Sequence, residues 1–240
     1  MPLDYNNSIP LYIQLKKEIE EKIIRGKFKD RIPSEREIMD EYYVSRSTVR
    51  QAIDELVKEG ILEKRPGKGT FVSRKHINDW LGSLSSTTET IQRMGMEPGA
   101  ALVETKIVSL SEQLQDITGL KEAYFIKRIR YANNIPIGIE SHYYPISLGK
   151  KIIGFDLNKV TLYDLLENHF GIHTLQADQV IRADKVSEED AKLLRIDTDD
   201  SILIADRKLL DIEGNFVEFE HARYRADMYS FRIKLSRKNG

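Results

Sequence analysis

SEREIMDEYYVSRSTVRQAIDELVKEGILEKRPGKGTFV, residues 34–72, is the stretch on which the reading turns. Ser34 and Glu37 form a capping box just after Pro33, so a helix should start at Glu35. A second helix should start after Ser45 and end before Gly60, a residue suited to a left-handed C-terminal cap. Within it Val49, Ala52, Ile53 and Leu56 fall at i, i+3, i+4 and i+7, one buried stripe. Arg46 and Arg50, four apart, lie together beside that stripe, with Ser47 and Gln51 further round. Asp54, Glu55 and Glu59 occupy the second half of the helix, where phosphates would be repelled. This polarity suits a helix entering a DNA major groove by its N-terminal end. An ordinary solvated amphipathic helix would show the same stripe.

The segment that follows favours the DNA reading. Ile61–Lys64 and Thr70–Val72 read as short strands around Arg65-Pro66-Gly67-Lys68-Gly69. Two glycines let the backbone turn tightly and approach a ligand closely. Lys64, Arg65 and Lys68 put three positive charges at the tip, which suits phosphates or a minor-groove edge. Upstream, Tyr12, Leu15, Ile19 and Ile23 trace another helical stripe, closed by Gly26. Three helices and a basic hairpin in this order predict a winged helix-turn-helix over residues 1–74.

Pro10-Leu11-Tyr12-Ile13-Gln14, Pro33-Ser34-Glu35-Arg36-Glu37, Ser45-Arg46-Ser47-Thr48-Val49-Arg50-Gln51-Ala52 and Gly67-Lys68-Gly69-Thr70-Phe71-Val72 resemble the GntR family of bacterial regulators over residues 8–74. The resemblance implies that Arg36 touches the DNA backbone or a base. It also implies that Arg46, Ser47, Thr48 and Arg50 reach into the major groove, and that the wing around Lys68 and Gly69 enters the minor groove. Arg46 and Arg50 are the best candidates for reading bases, since bidentate Arg to guanine is the commonest specific contact.

Composition bounds the alternatives. The chain has 240 residues and a net charge of −1, and residues 1–74 carry 15 Lys and Arg against 13 Asp and Glu. Affinity for DNA therefore has to come from clustering at the helix and hairpin, not from a basic domain. The absence of cysteine excludes disulfides and thiolate metal sites, and fits a reducing cytoplasm. No signal pattern and no long apolar run is present, so a cytoplasmic protein with no membrane partner is expected.

A polar linker is expected over residues 75–82, followed by a second domain over 83–240. Residues 84–94 look helical, with Ser85, Ser86, Thr87 and Thr88 at the start. Ala101–Val108, Ala123–Ala132 and Ile135–Tyr144 alternate as strands, with a short capped helix at Ser111–Thr118. Thr161–Phe170 and Ser187–Leu194 read as helices, Ser201–Leu210 and Phe216–Arg225 as a hairpin, and Met228–Lys234 as a last strand. The class is α+β, an antiparallel sheet with helices inserted. Arg128 and Arg130 share one face of their strand, as do Glu220 and Tyr224 on theirs. The hydroxyls at Ser85–Thr88 and Thr161 open helices whose free N–H groups favour an anion, so a phosphate cradle is possible. Each feature alone has an ordinary reading, as solvated arginines, helix caps or a sheet edge.

Leu84-Ser85-Ser86-Thr87-Thr88-Glu89, Met94-Gly95-Met96-Glu97-Pro98-Gly99, Lys127-Arg128-Ile129-Arg130-Tyr131, Ile139-Glu140-Ser141 and Phe219-Glu220-His221-Ala222 resemble the UTRA effector domain of the HutC branch of that family, over residues 80–236. The resemblance implies a chorismate-lyase-like fold, a homodimer paired through this domain, and repression released by glucosamine 6-phosphate or N-acetylglucosamine 6-phosphate. It assigns Thr88, Arg128, Arg130, Thr161 and Tyr163 to the phosphate, with Ser86 and Thr87 lining the same helix start. Glu140, Glu220 and Tyr224 would meet the sugar. For Glu140 to share the arginine face, the loop after Ala132 must hold an odd number of residues, so Asn133-Asn134-Ile135 is expected to be a three-residue loop.

Enzyme and ligand-free architectural classes are the alternatives, as is a regulator sensing another sugar phosphate or a carboxylate metabolite. No Ser/His/Asp order, metal-spaced histidine cluster or Gly-rich nucleotide loop is present, so neither catalysis nor a cofactor or metal is expected. A chorismate-lyase-like fold does not by itself decide function.

Overall fold

The structure is a computed structural model that describes residues 3–5, 7, 9–24, 27–28, 30–59, 61–72 and 77–236. It divides into two compact units, one running to Lys75 and one built mainly from His76 onward.

The first unit contains α1 (Leu11–Ile24), α2 (Glu35–Tyr42), α3 (Arg46–Lys58), β1 (Leu62–Arg65) and β2 (Gly69–Val72). The α2 start is set by the reciprocal cap: Ser34 Oγ accepts from the Glu37 N–H at 3.3 Å, and Glu37 accepts from the Ser34 N–H at 2.7 Å. Tyr43, in the left-handed region at φ 54°, ends α2 and turns the chain towards Ser45. Ser45 Oγ then accepts from the Thr48 N–H at 3.2 Å and starts α3. Leu15, Ile19, Ile23, Val49, Ala52, Ile53 and Leu56 of the anticipated stripes are buried together with Ile38, while Tyr12 is half-buried. The expected glycine ends, Gly26 and Gly60, lie outside the described residues. Antiparallel β1 and β2 pair Arg65 with Gly69, and the turn between them needs Gly67 at φ 70° and Gly69 at φ 112°.

The second unit is an antiparallel six-stranded sheet in the order β4 (Pro98–Ser109), β5 (Glu122–Ala132), β6 (Ile135–Tyr144), β9 (Phe216–Arg225), β8 (Ser201–Asp211) and β7 (Thr174–Lys185). Its helices are α4 (Thr87–Arg93), α5 (Glu112–Thr118), α6 (Ile146–Ile152), the short α7 (Leu162–Asp164) that continues as a π-helical turn over Leu165–His169, and α8 (Glu188–Leu194). A separate parallel pair joins β3 (Ile77–Trp80) to β10 (Tyr229–Arg232).

Three elements differ from expectation. Ile77–Trp80 belongs to the predicted linker but is a strand, because Ile77 is fully buried and pairs with Tyr229 from the far end of the chain. Residues 174–185 carry no alternation, yet form the long edge strand β7, whose Val180 is 58% exposed. An edge strand with so little buried surface has no reason to alternate. Helix α6 contains Gly149, where an added Cβ would lie 2.1 Å from Tyr124 Cβ, so close packing on β5 replaces helix propensity there.

The β5–β6 turn is also a correction. Asn133 and Asn134, at φ 48° and 63°, form a two-residue turn closed by Ala132 and Ile135. Register then shifts, Tyr131 pairing with Pro136 and Arg130 with Gly138, which leaves Ile137 as the extra residue of a bulge. The loop is not three residues long, but the bulge restores the odd count and sets Arg128 directly opposite Glu140.

One sheet face carries two apolar clusters. Tyr124, Ile126, Tyr144 and Leu209 pack with Ile152, Leu162, Leu165 and Leu166 of α6, α7 and the π turn. Ala132, Ile137, Ala205, Ala222 and Tyr224 pack with Ile77, Ile91 and Tyr229. Between these clusters, on the same strands, lies a belt of buried polar side chains.

Candidate effector site and DNA-reading face

Alternation along four strands builds that belt: Arg128 and Arg130 from β5, Glu140 and His142 from β6, Glu218 and Glu220 from β9, and Arg207 from β8. A small cavity of about 20 Å³ opens onto it, closed by Ser86, Thr87 and Thr88 at the α4 start and by Thr161, Leu162 and Tyr163 at the α7 start. Ser86 accepts from the Glu89 N–H at 3.2 Å and Glu89 accepts from the Ser86 N–H at 2.7 Å, a second capping box that fixes the loop into α4.

Glu140 is the hub. One oxygen accepts from Thr87 Oγ1 at 2.6 Å and faces Arg130 Nε at 3.7 Å; the other accepts from Arg128 Nη2 at 3.3 Å. Arg128 Nη1 donates to the Val160 carbonyl at 3.2 Å, and Arg130 Nη2 donates to Thr88 Oγ1 at 2.6 Å. Tyr224 closes the ring from behind, its hydroxyl 3.2 Å from Thr87 Oγ1 and 3.4 Å from Glu140. The cavity thus gathers nine of the ten residues anticipated for an effector, with Tyr224 bonded to two of them from just outside the lining.

Arg207 and His142 also line the cavity and were not anticipated. Arg207 donates to Glu220 and sits 5.4 Å from the centre of the Tyr163 ring. His142 Nδ1 lies 2.6 Å from Glu218, which also accepts from the Tyr144 hydroxyl at 2.6 Å. His142 Nε2 is 3.4 Å from Glu140, close enough for attraction but not aligned as a hydrogen bond. Among the described residues, the buried Nε atoms of Arg128, Arg130 and Arg207 and the Tyr163 hydroxyl have no hydrogen-bond partner.

Electrostatics follow from this packing. Burial opposes ionisation of Glu140, but the positive charges of Arg130, His142 and Arg128 outweigh it and hold the carboxyl well below its usual range. Burial would depress His142, yet its contacts with Glu140 and Glu218 raise it to about 9. Burial raises Glu220, with Arg207 opposing, and raises the Tyr163 hydroxyl well above its usual value. Three guanidiniums and the His142 cation thus face the three carboxylates Glu140, Glu218 and Glu220. Glu140, His142 and Glu220 present ligand atoms within 4.8 Å of one another, but these same arginines already occupy the carboxylates and would repel a metal ion.

In the first unit, Arg36, Arg46, Ser47, Arg50, Lys68 and Gly69 are exposed and Thr48 is half-buried. Arg46 Nε donates to Glu35 at 3.1 Å and Arg50 lies 3.9 Å from the same carboxylate, so one acid at the α2 start holds both arginines of α3. The wing charges are less alike than the sequence implies. Lys64 pairs with Asp54 at 2.5 Å, while Arg65 pairs with Glu63 and stacks 4.4 Å over Phe71. Lys68, at the turn, has no ion pair among the described residues.

The family model for bacterial regulatory proteins of the gntR family matches residues 11–72, and the UTRA domain model matches residues 93–230. The chain belongs to the GntR family. It is 33% identical over 238 residues to the HTH-type transcriptional repressor NagR of Bacillus subtilis, covering 96% of this chain and 97% of that one. It is 28% identical over 236 residues to the mannosyl-D-glycerate transport/metabolism system repressor MngR of Escherichia coli, covering 96% and 98%. The crystal structure of PhnF from Mycobacterium smegmatis matches with a TM-score of 0.66 and 25% identity, over 93% of this chain and all of that one. This GntR protein is therefore a DNA-binding transcriptional repressor of HutC type, with a UTRA domain and no enzymatic role. No helix of its described residues is long and apolar enough to cross a membrane.

The belt makes a pH prediction. His142 is raised in the folded state, so its contribution is fully present below the unfolded value near 6.5 and is lost as pH rises through about 9. Urea unfolding of the UTRA domain, within the full chain, should lose roughly 3 kcal/mol of stability across that window. His142→Gln should flatten the slope, and an equally steep slope in the variant would contradict the assignment.

Proposed function

We propose that the UTRA domain binds a phosphorylated sugar, of the glucosamine 6-phosphate or N-acetylglucosamine 6-phosphate type, and that binding releases the repressor from its operator. The observation that carries this is the pair of buried arginines, Arg128 and Arg130, each with an Nε that makes no hydrogen bond, beside a hydroxyl-lined cavity. Arginine offers donors in a fixed fork that matches phosphate, and charge-assisted bonds are about twice as strong as neutral ones. Thr88, Thr161 and the Tyr163 hydroxyl complete the phosphate end, with Ser86 and Thr87 beside them. Glu140 and Glu220, with Tyr224, would then choose among sugar hydroxyls and amines. Relatives named for mannosyl-D-glycerate and for fructoselysine utilization are consistent with sugar-derived effectors in this group.

In this reading the ligand holds a UTRA arrangement that does not suit operator binding, since only differential affinity shifts an equilibrium. Calorimetry comparing a hexose with its 6-phosphate tests it. The phosphate should bind at least about 100-fold tighter, from roughly two charge-assisted bonds lost without it. Arg128→Ala should abolish that difference while leaving operator binding intact. Equal affinity for the free sugar would overturn the cradle.

For the operator we infer that Arg36, Arg46, Ser47, Thr48 and Arg50 face the major groove and Lys68 and Gly69 the minor groove, in a two-fold homodimer paired through the UTRA domains. Selection from random DNA should return two inverted half-sites. Arg50→Ala should cost about 1–3 kcal/mol and flatten preference at one position. Lys68→Ala should weaken all sequences alike and lower the salt slope by about one. A single half-site, or equal losses on operator and random DNA for Arg50→Ala, would refute this arrangement.

A further inference from the structure

Beside the small cavity the UTRA domain has a second, wider cleft of about 260 Å³, between the segment Asp79–Ser85 and strand β7. The two share one side chain, Arg207, which lines both. Gln179 of β7 stands directly opposite Arg207 in the β7–β8 pairing, so the cleft begins where the cavity ends.

The chemistry of its wall is specific. Trp80 is half-buried, and a Cβ on Gly82 would come within 2.5 Å of its Nε1, so the indole is seated on glycine backbone. Asp79 is held by the Tyr229 hydroxyl at 3.1 Å and by Thr90 at 3.4 Å. Ser83, Ser85 and Gln179 add neutral donors and acceptors. Arg207 is the one cation among the lining residues, and Glu220 already pairs with it. An indole with Leu81, Leu84 and Ala177 on the same wall as hydroxyl, amide and carboxylate groups suits an uncharged polyhydroxyl unit, with apolar C–H faces for the apolar side chains and hydroxyls for the rest. It does not suit a second anion.

Direction supplies the rest. A phosphate at Arg128 and Arg130 lies at the far side of Glu140 and Glu220 from this cleft, so a hexose 6-phosphate would point its anomeric carbon towards Arg207. We propose that the cleft is a second subsite of the effector site, which takes the unit attached at that carbon, so that the preferred ligand class is a 6-phosphoglycoside rather than a bare hexose 6-phosphate. The orientation rests on the phosphate reading above; the subsite itself does not.

Trp80 is the only tryptophan of the chain, so its emission reports the cleft directly. The full-length protein is titrated with cellobiose 6′-phosphate, glucose 6-phosphate and cellobiose, following calorimetry and Trp80 fluorescence. Cellobiose 6′-phosphate should bind about tenfold tighter than glucose 6-phosphate, as one good stacking or hydrogen-bonding contact provides, and it alone of the two phosphates should shift the emission. Gln179→Ala, on the exposed edge strand, and Gly82→Ala, which displaces the indole, should remove that advantage and leave glucose 6-phosphate unchanged. Equal affinity for both phosphates, with no response to either substitution, overturns the subsite and leaves the cradle standing. A shift with unphosphorylated cellobiose, matched in affinity to its phosphate and sensitive to Gln179→Ala, supports the subsite and overturns the cradle. No binding of any of the three overturns both.

Discussion

Everything in the UTRA domain is arranged around one buried carboxylate. Glu140 is 2% exposed and meets Arg128, Arg130, Thr87 and, at longer range, His142. Two guanidiniums and an imidazolium taken out of water would cost several kcal/mol each without compensation. Glu140, Glu218 and Glu220 provide that compensation and tie four strands together. Packed leucines of similar volume would hold such a sheet at least as well. A charged belt between two apolar clusters is thus better explained by what it recognises than by stability, and its orphaned Nε atoms point the same way.

The belt exists only because register is right. Had the Asn133-Asn134 turn closed without a bulge, Glu140 would lie on the opposite face from Arg128, among the partners of Lys127 and Arg223. Ile137 is the single extra residue that prevents this, and its side chain is fully buried in the apolar cluster beside Tyr224. Gly138 serves the same end: a Cβ there would meet the Tyr224 ring at 2.4 Å, so the tyrosine whose hydroxyl reaches Thr87 and Glu140 needs a glycine beside it. Tyr224 in turn stacks on Tyr229 at 3.9 Å, and Tyr229 donates to Asp79 on β3, the first described element after the DNA-reading unit. The proposed effector cradle and strand β3 are therefore joined by a continuous run of side-chain contacts.

Much of this was legible in residues. Caps such as Ser34, Ser45, Ser86 and Ser111 act within three residues, and the helix stripes repeat within seven, so local sequence carries them. Arg128 and Arg130 could be placed on one face because strand alternation is local too. Arg207 and His142 were not legible, because their role arises from pairing. Arg207 reaches the site through β8 beside β9, and His142 matters only once β9 lies beside β6 and brings Glu218 within hydrogen-bond reach. Ile77–Trp80 looked like a linker because its partner is some 150 residues away. Strand β7 is an exposed edge, which leaves no hydrophobic pattern to read. The even turn with a bulge at Ile137 could not be told from an odd loop, since both give Glu140 the same face.

The central claim is that a phosphate in the arginine belt controls the grip on DNA. Fluorescence anisotropy of a labelled operator fragment, selected by the protein itself from random DNA, tests it most directly. The complex is titrated with glucosamine 6-phosphate and, separately, with glucosamine. The account predicts that the phosphate alone lowers the anisotropy, to the value of free DNA. Release by glucosamine at the same concentrations, or an anisotropy that the phosphate leaves unchanged or increases, would contradict it.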